Sequence, residues 1–185
     1  VSSSRLVLVE GESDRIAVTT IARRLGRDLA TEGVEVRVLG GATNLRRQVR
    51  EALVDRVGWG ISGLYDVAER QHVARALADV GLGPVDDALG LEQLGFFACV
   101  DDLEDELIRA VGERRMLEVM GEHGDLGAFR RLQRQPLQRD WSQHRQLHRF
   151  VAARSGYKAR YARLLAEAVP LDDVPRPIAD LIDRM

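Results

Sequence analysis

Arg5-Leu6-Val7-Leu8-Val9-Glu10-Gly11-Glu12-Ser13-Asp14 is the stretch on which the fold turns. Its apolar run is short, rich in β-branched and aliphatic residues, and stops at a Glu-Gly pair. Such a run reads as a strand buried on both faces. Ser13 is a candidate helix cap and Asp14 suits a first helical turn. Ile16, Ile21, Ala22 and Leu25 then recur at helical spacing until Gly26. The same alternation continues outward. Val34–Leu39 reads as a second strand, followed by Gly40-Gly41 and a helix from Thr43 or Asn44 through Val49, Leu53 and Val57. Gly60–Tyr65 reads as a third strand closed by Asp66, with a helix carrying Val73, Leu77 and Val80 on one face. Phe96–Val100 is a fourth strand, closed by Asp101, Asp102, Glu104 and Asp105. Strands alternating with helices predict crossover units and an α/β fold with a mostly parallel four-stranded sheet flanked by helices.

From Asp102 onward the pattern is helical, with Leu107, Ile108, Val111, Leu117 and Met120 as core contacts. Gln133–His148 reads as a helix pair or a mobile connection, Tyr157–Val169 as an amphipathic helix, and Ile178–Ile182 as a last short one after Pro170, Pro175 and Pro177. The expected organisation is an α/β core over 1–112 with a helical C-terminal extension over 113–185 packed on it.

With 185 residues, 45% of them hydrophobic and 30% charged, the chain has the composition of a soluble globular domain. No run approaches the ~20 apolar residues that span a bilayer, and the opening lacks the basic head and apolar core of a secretory signal. The lone cysteine, Cys99, sits in an apolar run and reads as a buried thiol of a cytoplasmic protein. Net charge is −2, but it is unevenly spread. Between residues 128 and 163 there are ten basic residues and one acid, Asp140. The remainder is acidic. This asymmetry suggests a basic face beside an acidic site; the alternative is an ordinary solvated helix surface.

Three apolar strands end in acids: Glu10, Asp66, and Asp102 with Glu104. In an open parallel sheet, ligands sit beyond the carboxyl ends of the strands, so these acids converge on one edge, where Asp14 can join them. Carboxylates crowded together repel, and a cation relieves them. All-oxygen ligation favours Mg²⁺ or Mn²⁺ over zinc. The alternative for each acid is that it caps the helix that follows. His144 and His148 have a spacing that can bind zinc, but no Cys or third His accompanies them, and no metal role is assigned. Trp59 reads as core; Trp141, in a basic polar stretch, is a weak candidate for stacking on a nucleotide. Lys158 is the only lysine in an arginine-rich chain. It lies at a predicted helix start, where a compact cation and the helix dipole would both favour a phosphate.

Leu6-Val-Leu-Val-Glu-Gly-Glu-Ser-Asp14 resembles the opening of a TOPRIM domain, the fold shared by topoisomerases, bacterial primases and some nucleases. Within that class the chain most resembles the nuclease domain of the OLD (overcoming lysogenization defect) family. The matching pieces are Val9–Asp14, Gly40-Gly-Ala-Thr-Asn44, Gly63-Leu-Tyr-Asp66, Asp102-Leu-Glu104 and the late Lys158. The resemblance implies a TOPRIM-like sheet and two-metal phosphodiester cleavage of DNA, an endonuclease or nickase. Glu10, Asp66 and Lys158 would be catalytic. Glu10, Asp14, Asp66, Asp102 and Glu104 would hold Mg²⁺ or Mn²⁺, and Arg130, Arg131, Arg134, Arg154 and Arg160 would contact DNA. Two departures matter. The family's Asp-x-Asp after the third strand has Ala68 in its second place, and Glu69 is expected to reach back in its stead. No stretch matches the Gly-x4-Gly-Lys-Ser/Thr loop of the ABC-type ATPase that OLD proteins carry ahead of the nuclease domain. The competing reading is therefore a catalytically weak module that binds DNA and acts with a separate ATPase. Nucleotidyl transfer and strand passage are weaker readings, for want of zinc-binding cysteines and of a tyrosine in a nucleophile's setting. A homodimer would suit a single site that must act twice to cut a duplex.

Overall fold

A computed structural model describes residues 4–55, 60–85, 87–153 and 156–185. Val57, Trp59, Arg154 and Ser155 lie outside them. The four strands are β1 (Arg5–Val9), β2 (Val34–Val38), β3 (Gly60–Asp66) and β4 (Phe96–Cys99). They form one parallel sheet in the order β2-β1-β3-β4. β1 is central, and Leu6 to Val9 are at most 1% exposed. Its continuous apolar run is therefore what a strand covered on both faces requires.

The pleat divides the core. Leu6 and Leu8 of β1, Tyr65 of β3 and Phe96 of β4 pack with α2 (Leu45–Asp55), α3 (Arg70–Ala78) and α4 (Ala88–Gln93) on one face. Val7, Val9, Leu64, Phe97 and Cys99 point to the other face. That face is covered by α1 (Glu12–Arg24), α5 (Leu103–Val111), α6 (Glu113–Glu122), α7 (Leu126–Gln133), α8 (Gln143–Ala152), α9 (Tyr157–Ala168) and α10 (Arg176–Arg184). One apolar cluster thus runs from Val7 to Ile182 and includes residues on both sides of position 112. α9 lies against α1, and Arg24 of α1 donates from Nη1 to the carbonyls of Ala166 and Val169, both at 2.7 Å, closing the C-terminal end of α9. Among the described residues no helix is long and apolar enough to cross a membrane.

Local details differ from the sequence expectation in identifiable ways. α1 begins at Glu12, capped by the backbone of Gly11, so Ser13 is inside the helix. The Gln133–His148 stretch is a connection of turns over 134–142, from the last residue of α7 into the first part of α8, and not a helix pair within itself. α4 is not signalled by the apolar pattern because it buries only Leu91; its sole local mark is Asp87, whose side chain accepts the Gly90 N–H at 2.7 Å.

Gly63 fixes how closely the strands can lie. It pairs with Leu8 of β1 and Phe96 of β4. A Cβ at this position would stand 2.6 Å from the Leu8 carbonyl oxygen and 3.2 Å from Phe96 Cε1. Gly63→Ala is expected to cost about 1–3 kcal/mol, as overpacked cores do, seen as a lower urea midpoint. An unchanged midpoint would show that β1 and β3 can spread without penalty.

Candidate metal centre

The strand order reverses between β1 and β3, and the crevice of an open parallel sheet opens at the carboxyl ends beside such a reversal. Glu10 leaves β1 there and is exposed; Asp66, the last residue of β3, leaves alongside it. Asp14, in the first turn of α1, is pinned by the Gly11 N–H, which donates to Asp14 Oδ2 at 2.9 Å. After β4, Asp102 caps α5, its Oδ1 accepting the Asp105 N–H at 2.8 Å. Glu104, one turn position on, is 3% exposed. α9 begins after Gly156, whose φ of 80° is a left-handed conformation that suits glycine. It presents Lys158, whose Nζ lies 3.4 Å from Glu104 Oε2. These residues line one cleft of ≈ 390 Å³. Its walls include the first residues of α1, α5 and α9, so three helix N-termini face it.

Charge crowding is severe. Burial, and then the charges of Glu10, Asp102, Asp14 and Glu104, push the Asp66 carboxyl from 3.8 up to about 7. Burial, reinforced by Glu104 and Glu10 and opposed by the Gly11 N–H and Lys158, lifts Asp14 to about 6. Asp102 goes the other way. Burial alone would raise it, but the hydrogen bond from His148 and the Asp105 N–H together hold it below its ordinary value. The same bond raises His148. Lys158 is also raised, because the charges of Glu104 and Asp102 together outweigh its partial burial.

The donor set fits a hard divalent cation. Every candidate ligand is a carboxylate, and Cys99 is buried away from the cleft's lining. Glu104 Oε1 is a buried carboxylate oxygen with no hydrogen-bond partner, an arrangement costly for a carboxylate unless a cation meets it. Among the described residues no three His, Cys, Asp or Glu side chains close to chelating distance of one another. Mg²⁺ tolerates this well, since it takes one or two carboxylates and completes its octahedron with water and phosphate oxygens.

The structure therefore brings together Glu10, Asp14, Asp66, Asp102, Glu104 and Lys158. It does not bring Glu69 into the cleft. β3 runs into a 3-10 turn, Val67–Glu69, after which Glu69 lines a separate cavity of ≈ 20 Å³ together with Glu10 and Asp66 as well as Leu39, Tyr65 and Val73. Ala68 is exposed in the same turn. Arg130, Arg131 and Arg134 are exposed on and just after α7, with no ion pair among the described residues. Arg160 is instead held internally: its Nη1 donates to Asp125 Oδ2 at 2.6 Å and its Nη2 to the His123 carbonyl at 3.2 Å. Arg154 lies outside the described residues. Trp141 is stacked under the Arg145 guanidinium, 3.8 Å from the ring centroid. The residues that sequence reasoning passed over are His144 and His148. The i, i+4 spacing was visible, but its partners were not: His148 Nε2 lies 2.8 and 3.0 Å from the Asp102 oxygens, and His144 Nε2 bonds Asp105 Oδ1.

A parallel sheet flanked by helices, with these acids gathered at its strand ends, is a TOPRIM-like α/β fold. More narrowly, the chain is similar to OLD-like TOPRIM domains. The family model for the overcoming lysogenization defect protein-like TOPRIM domain matches residues 3–54. The C-terminal region of the Xanthomonas campestris pv. campestris OLD protein is similar over 98% of this chain and 93% of that one, with 26% identity and a TM-score of 0.73. The C-terminal region of the Burkholderia pseudomallei OLD protein shares the fold, with a TM-score of 0.71 and 20% identity over 96% of this chain and 94% of that one. None of the curated proteins compared matches the chain. TOPRIM domains generally bind divalent metal ions, in keeping with the donor set.

The raised carboxyls have a thermodynamic consequence. Asp66 and Asp14 bind protons more tightly folded than unfolded, so folding takes up protons between their ordinary value of 3.8 and their folded values of about 7 and about 6. Stability withheld at neutral pH returns as the pH falls through that window. His148 acts in the same direction, its contribution being lost as pH rises through its raised value; the contribution of Asp102 is lost only in stronger acid. In EDTA the protein should melt several degrees higher at about pH 5.5 than at about pH 8, with Asp66→Asn removing much of the difference. A melting temperature that climbs with pH would mean the acids do not repel as the structure places them.

Proposed function

We propose that this domain is a Mg²⁺- or Mn²⁺-dependent DNA endonuclease or nickase. The observation that carries the reading is the single cleft in which six carboxylates (Glu12 among them), one lysine and three helix N-termini meet. Acids alone would suit a cation, and helix N-termini alone an anion; their coincidence suits a cation bridging to a phosphate. Glu10, Asp14, Asp66, Asp102 and Glu104 are the residues that would hold the metal. When bound, divalent ions supply Lewis-acid neutralisation of the phosphate and lower the pKa of an attacking water. The chain's own groups do the rest. Lys158, anchored at the start of α9 and reaching Glu104, stands where charge builds on the scissile phosphate. The N-termini of α1, α5 and α9 orient the same group by their positive ends. Water adds to phosphorus as the bond to the leaving sugar oxygen breaks, and that oxygen departs with a proton.

Supercoiled plasmid incubated with Mg²⁺ or Mn²⁺ should be nicked, and EDTA should stop it. Glu10→Ala and Lys158→Ala should each slow nicking by on the order of 10²-fold or more. Cleavage that survives Glu10→Ala would remove the cleft from the chemistry.

DNA would approach over α7, where Arg130, Arg131 and Arg134 are exposed. Neutralising all three should weaken binding and reduce the slope of log affinity against log salt by about 3. If the slope does not change, the path of the DNA lies elsewhere.

A second reading is favoured by Ala68. With alanine in that turn and Glu69 outside the lining of the main cleft, one of two metal positions would be poorer in ligands. The domain would then serve as a DNA-binding module acting with a separate ABC-type ATPase. Calorimetry separates the two, since two Mn²⁺ equivalents support the nuclease and one weak equivalent the module. A homodimer would place two sites on one duplex and fits either reading.

A further inference from the structure

Asp102 must do two things at once. It caps α5 through Oδ1, and it lines the cleft with Glu104. A carboxylate held only by the cap bond is free to swing about its own axis and offer its remaining lone pairs in varying directions. In this structure it is not free. His148 Nε2 sits against both oxygens, at 2.8 Å from Oδ2 and 3.0 Å from Oδ1. One turn earlier on the same helix, His144 Nε2 bonds Asp105 Oδ1. Asp105 is the residue whose N–H the Asp102 carboxylate caps, and its other oxygen is bound by Arg109 Nε at 2.8 Å. The i, i+4 spacing of the histidines on α8 matches the i, i+3 spacing of the two acids on α5, so two parallel contacts join the helices beneath the cleft. With the backbone N–H and one imidazole as donors, Asp102 keeps lone pairs for the cleft, because an ionised carboxylate offers about four.

We propose that His148, braced by the parallel His144–Asp105 contact, is a positioning residue that fixes the Asp102 carboxylate in the orientation that receives a divalent metal ion. This rests on the reading of the cleft as a metal site. It differs from a simple helix-packing role. α8 is already docked by Leu147, Phe150 and Val151, all at most 3% exposed, whereas the His148 side chain is one-third exposed. Outer partners that orient ligating carboxylates contribute to metal affinity, not only to the fold.

The test is Mn²⁺ binding to the whole chain, read as free Mn²⁺ by electron paramagnetic resonance, alongside thermal melting in EDTA, both at about pH 8, where the stability contributed by the charged imidazole is largely lost. His148→Ala should lower Mn²⁺ affinity by roughly 10–100-fold, the usual cost of losing such a partner, with little change in melting temperature. His148→Gln keeps an N–H donor at a similar reach and should bind Mn²⁺ nearly as wild type does. His148→Phe fills the space without a donor and should behave like the alanine variant, which keeps the test decisive should the latter not fold. Wild-type affinity in His148→Ala or His148→Phe overturns the proposal, as does a loss in His148→Gln equal to that in His148→Ala. The two readings fail separately: a wild type that binds Mn²⁺ yet nicks no plasmid sinks the nuclease function, whereas unchanged affinity without the imidazole sinks the role of His148.

Discussion

Like-charge repulsion at the ends of β1 and β3 is the constraint around which this domain is arranged. Asp66 is pushed to about 7 by burial and by four neighbouring carboxylates, a price in folding free energy that a purely structural design would avoid. The backbone holds the acids there regardless. The sheet register seats Glu10 and Asp66 on adjacent strands, the Gly11 N–H restrains Asp14, and the α5 cap restrains Asp102. Positive potential is supplied from the same backbone, through the starts of α1, α5 and α9, and from Lys158. The centre is thus a balance between side chains of one sign and helix ends of the other.

The helical part beyond α5 is integral to that balance. Asp125, 8% exposed, accepts from the Tyr157 hydroxyl at 3.1 Å, the Tyr161 hydroxyl at 2.9 Å and Arg160. Three side chains from the first turns of α9 are therefore tied to one buried carboxylate between α6 and α7. This fixes the rotation of α9 about its axis and turns Lys158 to the cleft. Arg24 secures the opposite end of α9. α8 in turn reaches the cleft through His148. Arg160, an arginine expected at a DNA surface, also takes part in this scaffold.

Much of this was legible in the chain. The strands were readable because β1 and β4 are continuous apolar runs and β3 carries Ile61, Leu64 and Tyr65 alongside glycines, and the site's location followed from acids closing those runs. Lys158 stood out by being the sole lysine. What could not be read were facts of rotation and distant pairing. Glu69 and Asp66 are three residues apart, yet after one 3-10 turn only Asp66 lines the main cleft, although both line a small neighbouring cavity. His148 and Asp102 are 46 residues apart, and nothing local in either announces the other. The apolar pattern of α4 was too sparse to register, with Leu91 its single buried contact.

The distribution of the centre along the chain carries a temporal meaning. During synthesis Glu10, Asp14, Asp66, Asp102 and Glu104 all emerge before α8 and α9 exist. A nascent chain that ends near α6 has the repelling acids but neither the imidazole that steadies Asp102 nor the ammonium that faces Glu104. The anionic half of the cleft is made first, and its counterweight arrives with α8 and α9. Whatever chemistry the cleft performs is in that sense withheld until α9 has been made.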